Sequence, residues 1–365
     1  MPKKVDKIFL ISFLALLICG LMVFISASLG IYARDNAKFT SIVFSQIFLG
    51  LFLGGIACLI TAKIPYKFWQ RYSFWIFFLS VISALLVFIP GVGVCHNGAC
   101  RWIYVFGFSF QPLEFLKIGF IIYFAAWIAH VKDGVHTFKL GLLPFLVFIG
   151  IIGGILFQQP DIDSFIIISL VGIAMYLVGG GRWRHIFFIA IIGLTCVAGL
   201  FFVRPYLLDR LMTFMHPDQN ALTSGYQIQQ SLIAVGSGEI FGRGLGQSIQ
   251  KFKFLPESVG DAIFPIAAEE FGFVGSVIII LLFIFFMSRG LKLANQTPDI
   301  FSRLLVIGIV ILITVQSFLN IAAMIGVIPV SGSPLIFFSQ GGTALFFTML
   351  EMGILINISK NRKLI

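Results

Sequence analysis

The chain has 365 residues, 59% of them hydrophobic and only 11% charged, with 43 Phe and a mean hydropathy of +1.04. Soluble domains run at about 45–50% apolar and about 25% charged, so a water-soluble globule and a disordered chain are both excluded, as are a collagen and a disulfide scaffold, since the 37 Gly lack a period and there are only 5 Cys. The net charge of +10 would suggest a nucleic-acid partner in a soluble protein, but in a membrane protein basic inner loops explain it.

A bilayer-crossing helix needs about 20 apolar residues. About ten segments come near that length: Ile8–Leu29, Ile42–Thr61, Ser73–Ile89, Leu113–Ala129, Leu140–Phe157, Ser164–Val178, Ile186–Val203, Ala262–Met287, Leu304–Ile328 and Gly341–Ile358. Lys3, Lys4 and Lys7 precede the first span. Every second connection after it is basic: Lys63/Lys67/Arg71, Lys132/Lys139, Arg182/Arg184, Arg289/Lys292/Arg303 and Lys360/Arg362/Lys363. The alternation predicts an even number of spans and cytoplasmic N- and C-termini. Ser26-Ala27-Ser28 looks like a cleavage site, but the apolar run before it exceeds a signal-peptide core, so an uncleaved helix is expected. The fold expected is an all-α polytopic membrane protein, a single transmembrane domain over 1–365. Its large extracytoplasmic loop, 204–261, lies between helices 7 and 8 and includes an apolar piece, Ile228–Val235, too short to span and read as an interfacial or re-entrant helix.

Most of the 25 Lys and Arg, but only Asp6, Asp133 and Asp299 of the 15 acids, fall in the inner segments. The remaining acids stand out because charges in or beside a membrane are costly. Glu114 and Lys117 share one face of the fourth span, as an ion pair or as the lining of a polar cavity. Glu269 and Glu270 lie about two turns into the eighth span and are read as structural or cavity-lining, and Glu351 as structural. Asp261 stands at the outer entrance of the eighth span, with Glu257 one turn earlier; a helix cap and a functional acid both fit it. Cys95 and Cys100 flank His96, and a disulfide, free thiols or part of a metal site all remain open. Cys19, Cys58 and Cys196 read as small apolar residues. No Walker A, Rossmann, HExxH or GxSxG motif occurs, which removes ATP-driven transport within this chain and the common hydrolase plans.

Several segments together resemble the SEDS family (shape, elongation, division and sporulation), typified by FtsW and RodA. They are Asn97-Gly98-Ala99, Arg101-Trp102-Ile103, Phe110-Gln111-Pro112 with Glu114 and Lys117, and Gln159-Pro160-Asp161. The large loop adds Gly225-Tyr226-Gln227, Gln230-Ser231-Leu232, Gly242-Arg243-Gly244-Leu245-Gly246, Gln250-Lys251 and Leu255-Pro256-Glu257. Asp261-Ala262-Ile263-Phe264 and Ala268-Glu269-Glu270-Phe271-Gly272 follow, then Pro329, Gly332, Pro334, Phe338-Ser339 and Gly341-Gly342 near the end. Gly-Tyr-Gln and Gln-Lys look more like the division branch than the elongation branch. The chain departs from the family pattern at Gly260 (Thr in the family), Asp163 (Gly), Gln340 (Tyr) and Val330-Ser331 (Thr-Lys).

The resemblance implies a peptidoglycan glycosyltransferase that polymerises lipid II into β-1,4 glycan strands at the outer face of the bacterial cytoplasmic membrane, at the division septum. Asp261 would be the catalytic base. Arg101, Gln111, Glu114, Lys117, Arg243, Lys251, Glu257 and Ser339 are the substrate-binding candidates, the cations among them available to the lipid diphosphate. A divalent cation could share that charge, although the sequence shows no dedicated cage. The partners implied are lipid II, a class B penicillin-binding protein transpeptidase, other division proteins and membrane lipids, with no nucleic acid. The alternatives are a lipid II flippase or secondary transporter using the intramembrane Glu and Lys residues, an elongation-type polymerase, and an inactive division scaffold, for which Gly260 and Gln340 speak.

Overall fold

A computed structural model describes residues 5–96, 99–105, 108–203, 205–216, 225–252 and 254–362. Asn97 and Gly98 of the outer motif, and 217–224 of the large loop, lie outside these residues. Every predicted span falls on a helix: α1 Lys7–Tyr32, α2 Asn36–Thr61, α3 Ser73–Leu86, α4 Pro112–Val131, α5 Phe138–Gln158, α6 Ile162–Val178 and α7 Trp183–Val203. In the large loop follow α8 Pro205–Met215 and α9 Tyr226–Ser237, then α10 Ile263–Asn295, α11 Ile300–Met324 and α12 Gly342–Lys360. Among the described residues 7 helices are long and apolar enough to cross a membrane, while Ser73–Leu86, Ile162–Val178 and Trp183–Gly193 are shorter apolar helices.

Several helices start at an aspartate whose carboxylate accepts the orphan N–H groups of the first turn. Asp6 caps α1 through Ile8 and Phe9, Asp35 caps α2 through Lys38, Asp161 caps α6 through Ser164, and Asp299 caps α11 through Ser302. Asp6 also meets Arg289, 3.3 Å away at the end of α10, and Arg362 beyond α12. The N- and C-terminal segments therefore share one end of the bundle, and Asp261, ahead of α10, lies at the other.

Helices α4, α11 and α12 are mostly buried and form the centre, whereas α2 and α10 turn most of their surface outward. Close crossings use small residues, as expected where lipid offers no hydrophobic drive between helices. A Cβ on Gly353 of α12 would stand 1.9 Å from Thr61 Oγ1 and 2.3 Å from the Cys58 carbonyl of α2.

The outer segment before α4 folds into an antiparallel sheet, β1 Gly93–His96, β2 Ala99–Val105 and β3 Phe108–Phe110, in the order β1-β2-β3. Cys95 and Cys100 are opposed across β1 and β2 and form a disulfide. Period-two alternation puts Trp102 and Tyr104 on one face of β2, with their register partners Val94 and Ser109. Arg101 and Ile103 take the other face.

Helix α10 is broken. Gly272 has φ +68 and ψ −164, which opens the ladder and leaves backbone groups without helical partners. The large loop supplies them. Arg243 and Gly244 N–H donate to the Glu269 and Glu270 carbonyls, both at 3.0 Å, and Phe273 and Val274 N–H donate to Glu239 and Ile240 at 2.9 and 3.1 Å. Backbone meets backbone here: a Cβ on Gly272 would lie 2.3 Å from Gly242 N and 2.6 Å from the Ile240 carbonyl. Gly272→Ala is therefore expected to lower stability by about 2–4 kcal/mol, through overpacking and an unfavourable φ. Gly150→Ala, facing open space in α5, should be neutral or slightly stabilising. Thermal unfolding in detergent measures both.

Candidate active site

Asp261 ends a turn-rich stretch that leads into α10. The Glu257 carbonyl accepts from Gly260 N–H at 2.9 Å and from Ala262 N–H at 3.1 Å. The last outer loop, 329–341, lies across this turn. Gln340 N–H donates to Val259 O at 2.7 Å. Ser339 Oγ donates to the Gly260 carbonyl at 2.7 Å and accepts Leu335 N–H at 2.8 Å. From α11, Asn320 Nδ2 donates to both the Asp261 and Ser333 carbonyls at 2.8 Å. From α2, the buried Gln46 sits in a π-helical segment, a frequent marker of functional sites, and its amide donates to Ser339 O at 3.2 Å and accepts Gly341 N–H at 2.9 Å. The backbone at Asp261 is thus fixed by two helices and a loop, while its carboxyl remains half-buried beside Gly332, whose added Cβ would be 3.7 Å from Oδ2.

The surroundings of that carboxyl are electronegative. Burial, first, and then the carboxylates of Glu257, Asp163 and Asp161 raise its pKa from 3.8 to about 7, against the opposing pull of Arg101. A carboxylate with that affinity accepts a proton near neutral pH, as a general base must.

Next to it opens a cavity of about 750 Å³ between the outer ends of α1 and α2, the Trp102/Tyr104 face of β2 and the 255–260 turn. Glu257, Gly260 and Gln340 line it, and so do Arg34 and Lys38, both exposed. These two cations are not among the sequence candidates. Their signal was a basic pair on the outer side, against the trend of the inner loops. Gly260 also gains a reason: an added Cβ would be 3.1 Å from Glu257 Oε2, so a bare glycine leaves that carboxylate room.

The other predicted residues separate. Arg101 is 26% exposed and clamps the turn before α6, donating to Gln159 O at 3.1 Å and to Pro160 O, with Asp161 3.9 Å away. Gln111 is half-buried ahead of α4, and its side chain is not among those lining the cavity. Glu114 and Lys117 form a buried pair at 2.8 Å, with Lys117 also donating to Gln316 at 2.9 Å, instead of facing the cavity. Lys251 corrects an expectation. It is 0% exposed, and its ammonium donates to Ser26 Oγ, Gly246 O and Glu270 at 3.1, 2.8 and 2.8 Å, which uses all three of its protons. Nothing remains for a diphosphate. Glu269 accepts from Ser248 Oγ, Ile249 N–H and Gln250 N–H at 2.5, 3.1 and 3.2 Å, and Arg243, 38% exposed, stands 3.5 Å from it. Ser339 is buried with both hydroxyl partners in the protein, so it holds the turn and does not face the cavity. Among the described residues no group of three or more His, Cys, Asp or Glu side chains converges to hold a metal ion.

A carboxyl raised toward neutrality, next to a cavity with aromatic and cationic walls, suits proton transfer on an anionic substrate. The family model described as "Cell cycle protein", covering FtsW, RodA and SpoVE, matches residues 6–364. The chain belongs to this family, and it is a multi-pass membrane protein. Stage V sporulation protein E of Bacillus subtilis is 37% identical over 358 residues, covering 97% of each chain. A probable peptidoglycan glycosyltransferase FtsW of Trichlorobacter lovleyi is 35% identical over 359 residues, 98% of this chain and 94% of that protein. Among solved structures, a chain of a peptidoglycan synthase complex coordinating polymerization and crosslinking superposes with a TM-score of 0.79 at 23% identity, covering 97% of each chain. The rod shape determining protein RodA of Thermus thermophilus gives 0.70 at 22%, over 98% of this chain and 97% of that one. At these identities the structures show a shared fold.

Two outcomes test the site. Lys251→Met leaves Glu270 buried without its cation and should cost about 3–5 kcal/mol of stability, whereas removing both charges should cost much less. The second concerns Asp261. A carboxyl whose pKa rises from 3.8 to about 7 on folding loses stability relative to a neutral side chain as pH climbs between those values. Asp261→Asn should therefore gain in melting temperature over wild type at pH above about 7 and lose that advantage by about pH 4.

Proposed function

We propose that the chain is a peptidoglycan glycosyltransferase that polymerises lipid II at the outer face of the cytoplasmic membrane, with Asp261 as its general base. The observation that carries this reading is the carboxyl whose pKa is raised to about 7, directly after the 255–260 turn that lines a cavity bordered by the ends of α1 and α2. The Asp261 carboxylate takes the proton from the 4-hydroxyl of the acceptor sugar. That oxygen attacks the anomeric carbon of the donor, the bond to the diphosphate breaks, and the electron pair leaves on the polyprenyl diphosphate. Inversion yields the β-1,4 link. A diphosphate leaving group needs cationic stabilisation more than a protonating acid, and Arg34 and Lys38 are placed to give it. Trp102 and Tyr104 offer aromatic faces to the sugars. Phe39, Phe44, Phe48 and Phe52 line an apolar groove of about 550 Å³ on the adjoining part of α2, where a polyprenyl tail can lie.

Septal wall synthesis, with a class B penicillin-binding protein as transpeptidase partner, is the cellular setting we propose, supported by the relatives named FtsW. The flippase or transporter reading loses support because Glu114–Lys117 and Lys251–Glu270 are buried pairs and Glu269 is held by Ser248, Ile249, Gln250 and the half-exposed Arg243. Reconstitution with the transpeptidase and lipid II tests the polymerase. Asp261→Asn should abolish glycan strands while still binding lipid II, and Arg34→Ala/Lys38→Ala should weaken lipid II use by about tenfold or more, as the loss of charge-assisted contacts predicts. Undiminished strands from Asp261→Asn would refute the assignment.

A further inference from the structure

Asp163 sits in the first turn of α6, where the resembled family pattern has glycine. Its Oδ2 accepts the Gly332 N–H at 3.0 Å and faces the Arg210 guanidinium at 3.3 Å. Gly332 neighbours the Asp261 carboxylate: a Cβ added to it would stand 3.7 Å from Asp261 Oδ2. Arg210 belongs to α8, in the large outer loop. One carboxylate thus joins α6, the last outer loop and the large loop at the wall of a second cavity of about 290 Å³, which Asp163, Arg210, Ser331 and Ser333 help to line.

The charged groups around Asp261 divide by element. Glu257 comes from its own turn, Asp161 and Asp163 from the start of α6, and Arg101 from β2. Arg34 and Lys38 line the adjoining larger cavity, and Arg210 stands behind Asp163. Arg101 donates to the backbone at Gln159 and Pro160, and Arg210 is the cation paired with Asp163. We infer that Asp163 is a positioning residue for Asp261: it holds the Gly332 backbone beside that carboxylate and, paired with Arg210, adds one of the negative charges that face it. The inference rests on Asp261 acting as the base.

The sign of the effect is testable because the two partners carry opposite charges. A base works when ionised, so its rate falls as pH drops through its affinity for a proton. Asp163→Asn keeps an oxygen for the Gly332 N–H but removes a negative charge, which favours the ionised base. Arg210→Gln leaves the Asp163 charge unbalanced, which disfavours it. With the full chain, its transpeptidase and lipid II, the acid limb of the polymerisation rate should move down by about half a pH unit in Asp163→Asn and up by about as much in Arg210→Gln, the size of a screened charge at this range. The double variant should fall between them. A residue that merely braced the fold would lower the rate in both variants without moving the limbs apart. Limbs that stay in place, or move together, overturn the inference. If Asp163→Asn does not fold, Arg210→Gln alone decides, and no upward shift refutes it. The protonated-carboxyl infrared band that disappears in Asp261→Asn gives the same titration without turnover. Should Asp261→Asn still make glycan, the base assignment falls, while that band still decides whether Asp163 sets the proton affinity of Asp261.

Discussion

Within a bilayer a helix cannot leave its N–H and C=O groups unpaired, and α10 opens at Gly272. The large outer loop answers that opening residue for residue, through Arg243 and Gly244 on one side of the break and Glu239 and Ile240 on the other. Once 239–244 is docked, Ser248 to Lys251 fall onto Glu269 and Glu270. The chain can then only return to α10 through Leu255–Gly260, which delivers Asp261 to the outer rim. The Glu269/Glu270 pair belongs to this anchoring. A buried ion pair contributes little net stability, but losing one partner costs several kcal/mol, so the Lys251–Glu270 contact specifies where the loop sits.

The distribution of charge at this end fits the base proposed at Asp261. A carboxylate held by a close cation would be too weak a base at neutral pH. Here Arg101 bonds the turn before α6, Lys251 bonds Glu270, and Arg210 pairs with Asp163. Arg34 and Lys38 are exposed in the cavity wall, Arg34 with a hydrogen bond to the Lys251 carbonyl at 3.2 Å. Asp261 is left among carboxylates, an arrangement unfavourable for the folded state and suited to proton transfer. Natural active sites commonly carry such a stability cost.

Much of the fold was legible because apolar length is a local signal. Each predicted span lies on a helix, and the pattern around Asp261 pointed to the outer rim. The small sheet was not legible, since its strands are short and their alternation over Arg101–Val105 is interrupted within a few residues. Arg34 and Lys38 escaped notice because only the fold brings the α1–α2 turn beside residues more than 200 positions away. Lys251 misled for the converse reason: a cation in an outer loop looks available until its partners on α1 and α10 are known. Asp163 stood out only as a departure from a pattern, and its bond to Gly332 gives that departure a physical role.

The most direct measurement is the pH dependence of the wild-type turnover rate with saturating lipid II and the transpeptidase partner. A base whose pKa has been pushed up to about 7 predicts a rate that falls about tenfold for each pH unit below that point, along a single-proton limb. A rate that stays flat from about pH 7 down to about pH 5, where an ordinary exposed carboxylate would still be ionised, would contradict the assignment of Asp261 as the neutral-pH base.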